Sequence, residues 1–164
     1  MRFGLIAALV LLLPLPACEV PIIVAAEAND GRMTGATKIE FPARVLLVSE
    51  QFGEDTYIGT MVGHISGRAD IEVKNAAGEQ CSGRANSDGK GQLICGSRVI
   101  NFDAGEDQKA AFSGANYQEM TVEGVFFRSA FGWGKGANDR VLRHVLAARR
   151  NLTPQETRAI AKGE

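Results

Sequence analysis

Between Lys38 and Ala130 the chain is written in short runs rich in β-branched and aromatic residues, at 44–48, 56–62, 70–73, 93–102 and 122–127, broken by glycine, asparagine and aspartate. Runs of this length and composition, punctuated in this way, are strands joined by turns. Alternation sharpens the reading. Ile71 and Val73 stand opposite Asp70, Glu72 and Lys74 across the pleat, which describes a strand with one face buried and the other wet. The expected fold is therefore mainly β: an antiparallel meander, small barrel or sandwich of about six to nine strands.

The chain has 164 residues, enough for one domain that buries its own core. Its 45% hydrophobic and 23% charged content is that of a globular protein rather than a disordered one. The net charge is −1. Loss of Arg2 with the first segment would make it −2, so the basic excess that a nucleic-acid partner requires is missing.

That first segment, MRFGLIAALVLLLPLPAC, has a positive residue at Arg2, an apolar run from Phe3 to Leu13 and small residues before a cysteine. This is the three-part order of a signal peptide. The run falls short of the ~20 residues a membrane span needs, and Pro14 and Pro16 interrupt it. Leu15-Pro16-Ala17-Cys18 resembles the lipobox of bacterial lipoproteins. The resemblance implies cleavage before Cys18, lipid on the Cys18 thiol and attachment to a membrane through that lipid. In that class an aspartate after the cysteine favours the inner membrane. Glu19 stands there instead, so the expected place is the outer membrane, facing the periplasm. The expected organisation is residues 1–17 as signal peptide, 18–37 as lipidated N-terminus and tether, and 38–164 as one β-rich domain with C-terminal helices.

Of three cysteines, lipidation of Cys18 leaves Cys81 and Cys95 as a pair. An exported compartment is oxidising, and no neighbouring histidine offers a metal a third ligand, so a disulfide is expected and a metal site is not. The segment between them is centred on Asp88. Folding back there sets Gly83 against Leu93 and Ala85 against Gly91, with a turn around Ser87-Asp88-Gly89 whose last two residues tolerate positive φ. Cys81 and Cys95 then face each other on neighbouring strands.

A repeat is also visible. Ser66-Gly67-Arg68-Ala69-Asp70 recurs sixteen positions on as Ser82-Gly83-Arg84-Ala85-Asn86, and more faintly as Ser113-Gly114-Ala115-Asn116. Each copy follows Ile65, Cys81 or Phe112, as if that position faced the core, and the step suits one β-hairpin per copy. The glycine spacing is similar to the hairpin arrays called MORN repeats. It departs from them in its shorter step and in lacking their aromatic positions, so their lipid-binding role is not carried over.

After Phe131 the character changes. The stretch FGWGKGAN holds the only tryptophan and reads as a strand-to-helix turn with Phe131 and Trp133 packed on the sheet. DRVLRHVLAARR follows, with Val141, Leu142, Val145 and Leu146 at helical spacing and Asn138 or Asp139 placed as cap. Thr153-Pro154-Gln155-Glu156 opens a second short helix. Arg140, Arg143, Arg149 and Arg150 are candidates for surface contact with anionic headgroups, weighed against a solvated face on a helix that covers the sheet. The glycines at 132, 134 and 136 lead into a helix as a phosphate-binding loop would, but the P-loop order is absent.

His64 and His144 are isolated, Glu54 and Asp55 are adjacent and so point to opposite faces of a strand, and HExxH, GxSxG and SxxK are absent. No catalytic residue, metal or cofactor is therefore expected. The expected function is that of a non-enzymatic binding or assembly module of the cell envelope, partnered by another envelope protein or a cell-wall component. An envelope hydrolase, or an inhibitor of one, is the alternative.

Overall fold

The computed structural model describes residues 19–103 and 112–150. A helix α1 (Glu19–Glu27) precedes nine strands: β1 (Arg32–Gly35), β2 (Lys38–Ser49), β3 (Gly53–His64), β4 (Ala69–Lys74), β5 (Gln80–Ala85), β6 (Lys90–Cys95), β7 (Arg98–Asp103), β8 (Gly114–Val122) and β9 (Val125–Trp133). Helix α2 (Asp139–Arg150) follows a 3-10 turn at Gly134–Gly136. All strand pairs are antiparallel, in the order β7-β6-β5-β4-β3-β2-β9-β8, with β1 beside the start of β2. The mainly β fold, its one disulfide and a C-terminal helix are as the sequence led us to expect. The second C-terminal helix falls outside the described residues, as does Cys18.

Three consecutive hairpins close with one device. Gly67, Gly78 and Gly89 have φ of 81°, 86° and 82°, and their N–H groups donate to the carbonyls of His64, Asn75 and Asn86. Each is the left-handed residue of a three-residue loop, a conformation that costs glycine little. These glycines recur every eleven residues, so the structural period is eleven and not sixteen. Ser66-Gly67 lies in a turn, Ser82-Gly83 in the body of β5, and Gly114 at the start of β8. Ile65 is 75% exposed whereas Cys81 is 2% exposed, so the residues preceding the copies have no common environment. The run at 93–102 likewise divides into β6 and β7 at Gly96, which has positive φ.

The sheet curls until its ends, β7 and β8, nearly meet. No backbone ladder joins them; side chains of β8 reach across instead. Gln118 Nε2 donates to the Asn101 carbonyl (2.8 Å), Gln118 Oε1 accepts from the Asp103 N–H (3.2 Å), and Asn116 Nδ2 donates to the Asp103 carbonyl (2.5 Å). Such bonds satisfy part of the backbone edge that β7 would otherwise leave open. Tight curvature elsewhere depends on inward-facing Gly59 and Gly83, where a Cβ would meet the carbonyl oxygens of Glu72 at 1.9 Å and Gln92 at 2.1 Å. Strand β2 is the hub: β3 lies along one side, while β1 pairs with its residues 38–40 and β9 with 43–48 on the other. Pro42, which has no N–H to offer, sits in the gap between those two neighbours.

Cys81 and Cys95 pair across β5 and β6 in the expected register, Gly83 facing Leu93 and Ala85 facing Gly91. Their Cα atoms are 4.2 Å apart, the close spacing of a non-hydrogen-bonded pair, and they form the disulfide. In the turn only Gly89 uses positive φ; the Asp88 carboxylate instead accepts from the Lys90 N–H (3.1 Å).

The stretch expected to be a tether is structured where it is described. Pro21 fits the first turn of α1, where no N–H is needed. Asn29-Asp30-Gly31, which reads as flexible linker, ends the helix: Asp30 is left-handed (φ 61°), its N–H donates to Glu27 (3.2 Å), and the Gly31 N–H returns to Ala26 (2.8 Å). This is a Schellman cap. Ala26 packs fully buried against Ile39 and Phe41. At the other end, Asn138 caps α2 by accepting from the Arg140 N–H (2.9 Å), and Leu142, Val145 and Leu146 pack on Leu46 and Ala130 on the outside of the barrel. Val141 departs from the expected stripe and is 38% exposed.

Replacing Cys81 and Cys95 together by serine should cost about 3 kcal/mol, the loop-entropy value for a closed loop of this size. Urea unfolding with and without reductant measures it; a loss below about 1 kcal/mol would show that the hairpin does not depend on its staple.

Candidate functional site

The inward side chains fall into tiers along the barrel. At the end carrying the β2–β3, β4–β5 and β6–β7 turns the tier is polar. Tyr57, 2% exposed, donates its hydroxyl to Glu79 Oε2 (2.5 Å), and Arg98 donates to Glu79 Oε1 and to the Tyr57 oxygen (3.3 Å). Beside them Asn75 Nδ2 donates to Asp55 (2.8 Å), and Asn75 Oδ1 accepts from the Glu79 N–H (2.9 Å). Burial first, and then the Glu79 carboxylate, push the Tyr57 phenol far above its ordinary range. The hydrogen bonds from Tyr57 and then Arg98 hold the Glu79 carboxyl below its ordinary value. Every member has its partner inside the cluster. The arrangement plugs the barrel.

The middle tier is the core: Val45, Leu47, Val73, Leu93, Ile100, Phe127 and the disulfide. Near the seam a small void of about 30 Å³ lies against Gln118 and Ser129.

The opposite end is open. In register across four strands stand Gly63, Ala69, Ala85 and Gly91, a row of residues too small to fill the barrel at that level. In the next row inward Met61, Ile71 and Leu93 carry the bulk that the outer one lacks, with Gly83 between the last two. The result is a cavity of about 410 Å³, within the range of small-molecule sites. Phe41, Met61, Ile71, Phe102, Phe131 and Trp133 line it from five different strands. Phe131 stacks on Trp133 (centroids 5.7 Å apart) and contacts Phe102 (5.9 Å), so one wall is a run of three rings. His64, Ile65 and Arg68 stand at the mouth with Asn86, and Ile22 of α1 lies over it. The Ser113 hydroxyl donates to Asn29 Oδ1 (2.8 Å), fastening the end of α1 to the start of β8.

The residues singled out from sequence lie elsewhere. Cys81 and Cys95 are in the core. Arg140 is exposed on α2 on the outside of the barrel, and Arg143 is held by both oxygens of Glu54 (2.6 and 2.8 Å) and by Asp139 (2.7 Å), so it belongs to no free basic face. The side chains of Arg149 and Arg150 are outside the described residues. His144 is exposed, and Gly136 packs on the backbone of Gly114, where a Cβ would meet the carbonyl oxygen at 1.9 Å, so the glycine loop is no open anion cradle. Glu54 and Asp55 point apart as expected, one to Arg143 and the other to Asn75. Trp133 is buried as expected, 4% exposed, but it also borders the cavity. His64 and Arg68 gave no signal in sequence. What was legible was the SGRA pair, whose alanines Ala69 and Ala85 face each other in the small-residue row.

No family model, curated protein or solved structure matches this chain. Among the described residues no group of three or more His, Cys, Asp and Glu could hold a metal ion, and no helix is long and apolar enough to cross a membrane.

Glu79→Gln should cost about 2 kcal/mol at neutral pH, the scale of hydrogen bonds to a charged group. A carboxyl whose pKa is lowered on folding contributes stability above its unfolded value, ~4.3, and loses it as pH falls through the lower folded one. The difference between variant and wild type should therefore shrink on acidification below that value. Urea unfolding over a pH series checks it, and a difference that is flat or grows in acid would contradict the ion-pair account.

Proposed function

We propose that this protein is a lipid-anchored module of the bacterial envelope, on the outer membrane facing the periplasm, whose barrel binds an apolar small molecule without chemical conversion. The observation that carries the binding reading is the open cavity of about 410 Å³ lined by aromatic and aliphatic side chains. Apolar volume kept open at one end of a barrel that is packed at the other costs stability, because the lining forgoes contacts it would make in a filled core. A ligand that enters restores them. The anchor rests on the lipobox-like Leu15-Pro16-Ala17-Cys18. Helix α1 begins at Glu19, so an anchor on Cys18 would hold the cavity mouth close to the bilayer.

Gly63 offers a direct test of the binding reading. A Cβ there would meet only the Ile39 carbonyl oxygen and the Phe41 ring, both at 3.8 Å, so Gly63→Leu puts an isobutyl group into the cavity without a backbone clash. Wild type should bind dodecanol with a change in Trp133 fluorescence. Gly63→Leu should melt at or above the wild-type temperature and bind at least about tenfold more weakly. No dodecanol binding by wild type, or equal binding by the two, would overturn the reading.

The anchor is tested separately. Cys18→Ser should lose stable membrane attachment in fractionation, and the intact mass of wild type should include acyl chains that the variant lacks. A wild-type mass without them would remove the anchor and leave the cavity untouched.

A further inference from the structure

The cavity's described lining is mostly apolar, and its ionisable side chains stand at the mouth. Among the described lining residues Arg68 and His64 are the only ionisable side chains, and no aspartate or glutamate is among them. Arg68 is exposed in the β3–β4 turn and makes no ion pair with any described residue. His64 is positioned by Asp70, whose Oδ2 lies 2.8 Å from Nε2. Asp70 also faces Arg84 (3.3 Å), so this carboxylate is already met by two basic side chains. Ile65, 75% exposed, and Ile22, 43% exposed, extend the apolar lining out to the level of Arg68.

Resting on the binding reading, we propose that the cavity takes a single aliphatic chain ending in an anionic group, a carboxylate or a phosphate, with the chain among Phe41, Met61, Ile71 and Trp133 and the head at Arg68. The aromatic and aliphatic wall supplies affinity through buried apolar area. An arginine at the mouth suits either head, because its guanidinium matches carboxylate and phosphate oxygens in a fork. A sterically similar cationic amphiphile would place its charge against Arg68 and bind more weakly.

The test uses the full chain and four probes of equal length: laurate, dodecyl phosphate, dodecanol and dodecyltrimethylammonium. Binding is followed by Trp133 fluorescence below the micelle concentration of each probe. At low salt laurate or dodecyl phosphate should bind about fivefold more tightly than dodecanol, the scale of an exposed charge pair, and the cationic probe more weakly than dodecanol. The anionic preference should fall as salt is added. Whichever anionic probe binds more tightly identifies the head as carboxylate or phosphate. Arg68→Glu should erase the preference, and an unfolding temperature equal to that of wild type shows that the variant folds. Equal binding of all four probes, or a preference that survives in Arg68→Glu, would overturn the headgroup assignment and leave the apolar cavity standing. Failure of dodecanol itself would overturn the binding reading beneath it.

Discussion

A sheet whose strands alternate apolar and polar residues has one face that must leave water, and among the described residues the C-terminal helix, twelve residues long, cannot cover nine strands. The chain resolves this by burying the sheet against itself. Everything else follows from that curl. Glycines stand where neighbouring strands approach too closely for a Cβ, the edges are brought near enough for glutamine and asparagine side chains to span them, and the tiers inside become a stack whose fillings are set residue by residue. Helix α2 is then free to pack outside, on the polar-side positions of β2 and β9 that carry Leu46 and Ala130 in place of charge.

Stacking explains why the two ends differ. The interior of a small barrel can be filled only by what its inward positions supply. Tyr57, Glu79 and Arg98 supply bulk and a complete set of hydrogen bonds at one end. Gly63, Ala69, Ala85 and Gly91 supply almost nothing at the other. The polar tier is expensive to bury unless every group is paired, and it is paired. It therefore fixes the closed end as the rigid one and leaves variation to the mouth.

Local features were legible and collective ones were not. The β5–β6 hairpin could be read because Cys81, Cys95, Asp88 and Gly89 constrain one another over fifteen residues, and α2 because its period and cap lie within twelve. The turn repeat was hidden because its three loops share only a glycine, while the more conspicuous SGRA letters fall in a turn once and in a strand once. Asn29-Asp30-Gly31 has the composition of a linker and the geometry of a helix cap, and composition alone does not separate them. The cavity is a property of a row across four strands that no window along the chain contains, which is why Arg68 and His64 carried no signal.

The place of β2 bears on how the barrel is made. Strands β2 to β7 pair each with the next through short turns, so that part can zip up locally. The pairing of β2 with β9 instead joins residues such as Ala43 and Trp133, and must wait until almost the whole chain is present. Until then the backbone edge of β2 along Val45, Leu46 and Leu47 is unpaired in an apolar stretch, the kind that recruits another chain. The slow, vulnerable moment in this protein's life is thus the arrival of its last strand, and molecules halted before it are the ones a chaperone would have to shield.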